Sequence, residues 1–473
     1  MPIIGRKTEI KELTDYYNSG RPELVILYGR RRVGKTFLVR EYFKNKFAFS
    51  FTGSINTSNK TNLSNFDRAI VKYGGNVNAV STNWSEAFHT LTDLLSRSPG
   101  ERKIVFIDEM PWLDTARSGF LSAFDYFWNS FASSDPDILF IGCGSAISWI
   151  TKKIFRNRGG LHNRVTGRIH LSPFTISECE EFFKNRGVVI DRYQLAECYM
   201  IFGGIPYYLD LFQRGLSLPQ NVDRLCFSNN APLQYEYDEL FMSLYKNPDR
   251  HIAIVEALAS KYSGLKRNEI SELAKLNPNG RLTETLDELE QCGFIDVYNE
   301  ASKNQRKNGC YYILSDPFVL FFIRYMKNRR SKDEHFWAGN VDEGGRNAWR
   351  GYAFEQLCRI HLRQVKKALG ISGVSTVTAS WRSKTSKPGA QIDLVIRRKD
   401  GVTNLCEMKY TKSPFEITES YANALRNKQI AFCAETGIKD GIHLTMITTC
   451  GITRDKGYIS SIQSEVTLDD LFG

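Results

Sequence analysis

Lys35 and Thr36 close the octapeptide Gly29-Arg30-Arg31-Arg32-Val33-Gly34-Lys35-Thr36, which follows the apolar run Leu24-Val25-Ile26-Leu27. The G-x-x-x-x-G-K-T spacing lies between a buried strand and a helix expected over Phe37 to Phe43. Gly29 and Gly34 permit a tight turn in which successive amides point at one phosphate. Lys35 reaches the outer phosphates as a point charge. Thr36 offers a hydroxyl to Mg²⁺, and the helix opening at Phe37 aims its positive end at the anion. The bland alternative is a glycine turn that happens to carry a lysine. Strand, loop and helix all favour the phosphate cradle.

Two further strand ends carry groups suited to the same chemistry. Lys103-Ile104-Val105-Phe106-Ile107-Asp108-Glu109 is an apolar run ending in two carboxylates. Ligands of parallel sheets sit at the carboxyl ends of the strands. Asp108 is therefore expected to support the metal, directly or through water, and Glu109 to polarise an attacking water. Asp137 to Ser145 is a third apolar run that ends in small residues. Ser145 is a candidate to sense the outermost phosphate or position the water, and equally to cap a helix over Ala146 to Ile150; the two roles are compatible. Asn157 to Arg168 reads as a basic, glycine-bearing loop. Arg164 and Arg168 are its candidates for a finger that neutralises transition-state charge, with nucleic-acid contact and plain surface charge as alternatives.

A second cluster lies near the other end. Gln391 to Ile396 reads as a strand, Lys399-Asp400-Gly401 as a hairpin turn, and Asn404 to Lys409 as the return strand. Two-residue alternation puts Glu407 and Lys409 on one face, which Asp393 can share. Asp393 and Glu407 are then candidate Mg²⁺ ligands, and Lys409 can orient water or help deprotonate it for phosphodiester attack. Glu355, on a helix expected from Gly351, can complete the shell. The alternative is a half-polar hairpin with ordinary surface charges.

Between these clusters, three helices are expected over His251 to Lys261, Arg267 to Ala274 and Arg281 to Glu290. Two strands follow, Gly293 to Val297 and Cys310 to Leu314, joined by the basic loop Lys303 to Lys307. The segment is similar to winged helices. Its third helix carries Glu284, Asp287, Glu288 and Glu290, which would face phosphates, so a protein-docking or linker role is preferred over DNA contact through the wing. Asp316-Pro317 opens a further apolar helix, Phe318 to Met326.

Gly5-Arg6-Lys7-x-Glu9, the phosphate loop, the Ile-Asp-Glu strand end and the Cys-Gly-Ser strand resemble the archaeal-type ATPases of the AAA+/STAND side of the phosphate-loop superfamily. Gly203-Gly204-Ile205-Pro206 resembles the Gly-x-Pro motif near the end of their helical lid; on its own it reads as a helix-breaking turn. The resemblance implies ATP and Mg²⁺ as ligands, Gly5 and Arg6 beside the adenine, and Pro206 as the coupling between nucleotide and lid. The Glu-Asp-Glu-x-Lys order of the last part resembles PD-(D/E)XK nucleases, with Ile392 in place of the proline. The expected fold is α/β: an AAA+-like parallel sheet over residues 1–170, a helical lid over 171–245, a winged-helix segment with a linker helix over 246–330, and a restriction-endonuclease-like domain over 340–473. The expected function is Mg·ATP hydrolysis coupled to DNA binding or processing. The alternatives are a STAND-like switch assembling as nucleotide-dependent homo-oligomers, and a winged-helix DNA-binding regulator.

Composition narrows the classes. The 473 residues exceed one core, and the formal net charge of +11 favours a polyanionic partner, with DNA foremost. No run of about 18 apolar residues is present, so no membrane partner is expected. The opening Met-Pro-Ile-Ile-Gly-Arg has no charged-then-apolar leader. Ten cysteines are scattered without a Cys-x-x-Cys pair. That distribution fits free thiols in a cytoplasmic protein rather than a disulfide frame or a zinc site.

Overall fold

The computed structural model describes residues 2–55, 57–77, 79–98, 102–156, 159–161, 163–298, 310–329, 333–339, 344–383, 385, 389–454 and 461–473. Asn157, Arg158 and His162 of the basic loop, the wing loop Lys303 to Lys307, and Arg330, Ser331 and Lys332 lie outside the described residues. The chain forms two compact units: Met1–Pro173 with Met242–Lys246, and Phe174–Phe241 with Asn247–Gly473. The division expected at 245 falls in the Met242–Lys246 segment of the first unit, and the one expected at 330–340 falls inside the second.

The first unit is built on five parallel strands: β1 (Glu23–Tyr28), β2 (Phe49–Thr52), β3 (Lys103–Asp108), β4 (Ile138–Gly144) and β5 (Gly167–His170). Their order is β2-β3-β4-β1-β5. β1, β3 and β4 are continuous apolar runs because helices cover both faces of the sheet. One face packs on an aromatic core that includes Phe66, Trp84, Phe88, Phe120, Phe124 and Phe140. β4 lies between β1 and β3, so this strand order brings Ser145 between the phosphate loop and Asp108. Residues 167 and 168 open β5 and do not belong to the preceding loop, a correction to the expected element: the ladder to β1 pairs Ile26 with Arg168.

The second unit begins with helices Ile176–Arg186, Arg192–Phe202 and Pro206–Asp210. Thr175 and Glu178 form a capping box on the first of these. Gly203 has φ 54°, and the carbonyl oxygen of Phe174 occupies the place where a Cβ on Gly204 would fall. The Phe174 amide donates to Gly204 O at 2.6 Å. The Gly-Gly pair thus permits a close backbone crossing, and Pro206 occupies the first turn of the next helix.

Helices Asp249–Ala259, Arg267–Leu273 and Gly280–Gln291 follow, with Leu282, Leu286 and Leu289 buried. They pack with a three-stranded antiparallel sheet of order β6-β8-β7, made by β6 (Leu265–Lys266), β7 (Ile295–Tyr298) and β8 (Tyr311–Leu314). Asp316 accepts from Val319 N at 2.7 Å and so caps helix Pro317–Phe321, which continues as a wider turn through Met326. Helix Gly344–Ile360 leads to a mixed sheet of order β13-β12-β11-β10-β9. Its strands are β9 (Thr376–Arg382), β10 (Gln391–Arg398), β11 (Val402–Lys409), β12 (Gly441–Thr448) and β13 (Ser464–Thr467). β9, β10 and β11 are antiparallel; β11, β12 and β13 are parallel. Among the described residues no helix is long and apolar enough to cross a membrane, and all ten cysteines are free.

Within this unit the helices after residue 174 are fastened to the last sheet and its leading helix. Arg350 pairs with Glu197 at 3.0 Å, and Tyr193 stacks on Tyr410 with centroids 4.8 Å apart. His361 Nε2 accepts from the Ile176 amide at 2.9 Å, while Nδ1 donates to Leu357 O at 2.9 Å. Burial pushes this imidazole down to about 4. The neutral ring is therefore part of the folded state, and its contribution is complete above the ordinary histidine value. It is lost as pH falls from about 6.5 through about 4, because the unfolded chain takes up the proton first. Denaturant titration is expected to show a loss of about 2 kcal/mol between about pH 7 and 5 from this group. His361→Asn should remove that increment; an unchanged pH slope in the variant would overturn the assignment.

Candidate active site

β1 delivers the chain to Gly29, where the Leu171 carbonyl oxygen stands in the place of any Cβ. Gly34 has φ 91° and open space around it, so the backbone conformation rather than crowding requires glycine there. Arg32 holds φ 69°, an uncommon conformation for a side-chain-bearing residue. Val33 is buried and Phe37 is exposed. The helix runs Lys35–Tyr42, two residues earlier than expected at its start. Lys35 is 5% exposed, and its ammonium donates to the carbonyls of Gly29 (2.9 Å) and Arg30 (2.8 Å). The lysine thus holds the loop in its turn. Arg6 (φ 56°) braces the same loop from outside, donating to Val33 O at 3.0 Å and Ser172 O at 2.7 Å. It follows Gly5, whose φ is 64°.

The strand ends converge on this loop. Thr36 Oγ1 donates to Asp108 Oδ2 at 2.6 Å. β3 stops at Asp108, and Glu109 turns out of the strand with φ 49°, its amide donating to Asp108 Oδ1 at 3.0 Å. Ser145 Oγ donates to the Glu109 carboxylate at 3.0 and 3.2 Å. The helix after β4 starts at Ile147 with Ala146 before it and no side-chain cap. The capping alternative for Ser145 is therefore corrected: its hydroxyl is spent on Glu109. Burial raises the Glu109 carboxyl above the ordinary value, with Asp108 adding and Lys35 and Ser145 opposing. A carboxylate so shifted is a stronger base than an ordinary one. Burial also pushes the Cys143 thiol well up and leaves it inert.

Thr36 and Asp108 present hard oxygens at one point, next to a lysine-held loop. This donor set fits Mg²⁺. Arg164 is exposed, and Arg168 lies over the Phe155 ring at 4.5 Å. Neither is joined to the phosphate loop by a hydrogen bond or ion pair among the described residues.

The second cluster assembles on β10, β11 and two helices. The antiparallel register pairs Leu394 with Cys406, and its next step sets Asp393 against Glu407. The ladder to β9 shifts between Ile392 and Val395, around Asp393. Asp393 Oδ2 accepts from Met408 N at 3.1 Å. Glu407 takes Lys409 at 3.0 Å on one oxygen and Lys428 at 2.7 Å on the other. Lys428 belongs to helix Glu419–Thr436 and is absent from the residues expected at this site. Burial works against ionisation of Glu407, but Lys409 and Lys428 outweigh it and hold this carboxyl below its ordinary value.

Burial, then the Glu407 charge, pushes Asp393 up to about 6. Burial, then Asp393, pushes Glu355 up to about 8, with Arg359 opposing. Arg359 supports the site from below, donating to Asp393 O at 2.6 Å. As they stand these groups do not form a cation site: both Glu407 oxygens carry lysines, and Asp393 accepts a main-chain amide. Among the described residues no group of three or more His, Cys, Asp or Glu is arranged to hold a metal ion.

Residues 3–212 match a family described as an ATPase domain predominantly from Archaea. An uncharacterized protein of Methanocaldococcus jannaschii is 26% identical over 407 residues, 83% of this chain and 84% of that protein. An uncharacterized ATP-binding protein of the same organism is 46% identical over 44 residues, 9% of this chain and 75% of its own length. A Walker-type ATPase of Pyrococcus abyssi superposes with TM-score 0.47 at 20% identity, covering 68% of this chain and 96% of that one.

Proposed function

We propose that the chain, whose residues 3–212 match the family of ATPase domains found predominantly in Archaea, hydrolyses ATP at its phosphate loop and that nucleotide state governs DNA binding or processing by the C-terminal part. The observation carrying the first half is the Thr36–Asp108 hydrogen bond with Ser145–Glu109 beside it. Lys35 and the main chain from Gly29 to Thr36, including Arg30, Arg31, Arg32, Val33 and Gly34, take the phosphates; Phe37 follows them into the helix. Thr36 and Asp108 hold Mg²⁺, which supplies neutralising charge to the phosphate oxygens when bound. Glu109 accepts the proton of the attacking water, and Ser145 orients its carboxylate. Gly5 and Arg6 flank the base, and Arg164 or Arg168 serves as the finger, in cis or from a second copy in a nucleotide-dependent oligomer. Pro206 couples nucleotide state to the lid.

At the C-terminal cluster, read as PD-(D/E)XK-like, Lys409 and Lys428 meet a phosphodiester. Glu355, neutral at pH 7, donates a hydrogen bond to it; Glu407 holds both lysines in place, and Asp393 adds a second acidic group beside them. The three helices and the β6-β8-β7 sheet are read as a winged helix that links this part to the lid. DNA-stimulated ATP turnover, lost in Lys35→Ala, is the test of the whole reading; turnover indifferent to every nucleic acid tried overturns the coupling.

Two results are expected at the C-terminal cluster. Oligonucleotide affinity should fall as pH rises through about 8, where Glu355 becomes an anion, and Glu355→Gln should flatten that dependence. Lys428→Ala should lower the salt slope of binding by about one. The lysine-clamped Glu407 favours a second reading, a STAND-like switch whose last domain binds without cutting. Mg²⁺-dependent cutting by the native protein, abolished in Asp393→Ala with ATPase retained, excludes that reading.

A further inference from the structure

β2 is the outer strand of the parallel sheet. Where β2 ends, Gly53 N donates to Asp108 O at 2.9 Å. Counted back from Gly53 along the ladder to β3, two-residue alternation aims the main-chain groups of Phe51 and Phe49 at β3 and turns those of Ser50 and Thr52 outward. Phe49 is wholly buried and Thr52 is exposed, as that orientation requires. The side chains alternate as well. Phe49 and Phe51 pack on Phe66 of helix Asn59–Lys72, with centroids 5.0 and 5.1 Å away. Ser50 and Thr52 therefore face the other side of the sheet, where Phe47 stacks on Phe106 at 5.6 Å.

A cleft of about 730 Å³ follows this edge, lined by Arg40, Ser50 and Thr52 and by Arg68 and Lys72. Arg40 comes from the helix after the phosphate loop. Arg68 and Lys72 stand four residues apart on the helix packed against the opposite face. No carboxylate is among the lining residues. Asp67, next to Arg68, is turned inward onto Ser81 N and Oγ, both at 2.7 Å.

We propose that this cleft takes an extended acidic peptide segment of a partner protein, added as a further strand to the edge of β2. A peptide strand brings both the donors and the acceptors that the outward main-chain groups of Ser50 and Thr52 require, and it sends side chains alternately to two faces. Carboxylates on one face meet Arg40; those on the other meet Arg68 and Lys72. A nucleic-acid backbone brings acceptors alone and would set phosphates against open carbonyls. The same cations guard the edge against indiscriminate strand pairing, and an acidic strand is the one such a guard admits.

The test titrates the full chain with a short labelled peptide of repeating Glu-Glu-Val-Val, which sets carboxylates on both faces of an extended strand, and reads fluorescence anisotropy. Saturable binding is expected, with slowed amide exchange at Ser50 and Thr52. The double variant Arg68→Glu, Lys72→Glu should weaken binding roughly tenfold or more, at unchanged melting temperature and ATP affinity. Arg40→Glu, on the other face, tests the same claim should the double variant unfold. N-methylation of alternate peptide amides, which keeps the charge, should abolish binding. No binding, equal binding of the methylated peptide, or capture of oligothymidylate in place of the peptide would each overturn the proposal.

Discussion

Lys35→Ala is expected to weaken ATP binding by roughly a hundredfold or more, about 3 kcal/mol, measured by calorimetry on folded protein. The ammonium is buried and already makes two charge-assisted hydrogen bonds to the Gly29 and Arg30 carbonyls. Its loss removes the positive charge the phosphates meet and also the tie that keeps the loop wound. Lys35→Arg should not restore binding, because a planar fork does not fit a position filled by a compact point charge. Affinity within a factor of about two of the native value in Lys35→Ala would show that the triphosphate sits elsewhere.

Glu109→Gln is expected to leave ATP binding intact and to lower kcat by about two to four orders of magnitude, the range for losing a positioned base. The amide keeps the shape and can still bond Ser145, but it cannot take a proton. The pH profile gives a second readout. The base works deprotonated, and burial raises its carboxyl above the ordinary value of 4.5. The rate should therefore climb with pH along an acid limb placed above that value, and Glu109→Gln should erase the limb. Ser145→Ala should shift the limb and cost less rate. An unaltered kcat in Glu109→Gln would move the base to another residue.

The phosphate loop was legible because its chemistry is local. Two glycines, a lysine and a threonine at set spacing do most of their work within one turn of chain. Asp393, Glu407 and Lys409 were legible for a related reason: strand alternation alone decides which of them share a face. Ser145 was ambiguous in sequence because its partner is set by strand order. Only when β4 lies between β1 and β3 does its hydroxyl reach Glu109. Lys428 had no local mark at all. It sits on a helix of ordinary charged composition, and only tertiary packing carries it to Glu407. The division expected at 170 lies three residues from the boundary after Pro173, whereas the return of Met242–Lys246 to the first unit had no local mark, since no run of Gly, Pro or charge announces it.

The fastening of Ile176, Tyr193 and Glu197 to His361, Tyr410 and Arg350 has a consequence for descent. Segments joined this way cannot be exchanged by recombination one at a time. A crossover near residue 340 would strand a buried arginine from its glutamate and leave one imidazole facing a foreign surface. Inheritance of the region after residue 174 should therefore be en bloc, with compensating replacements appearing in pairs across that seam.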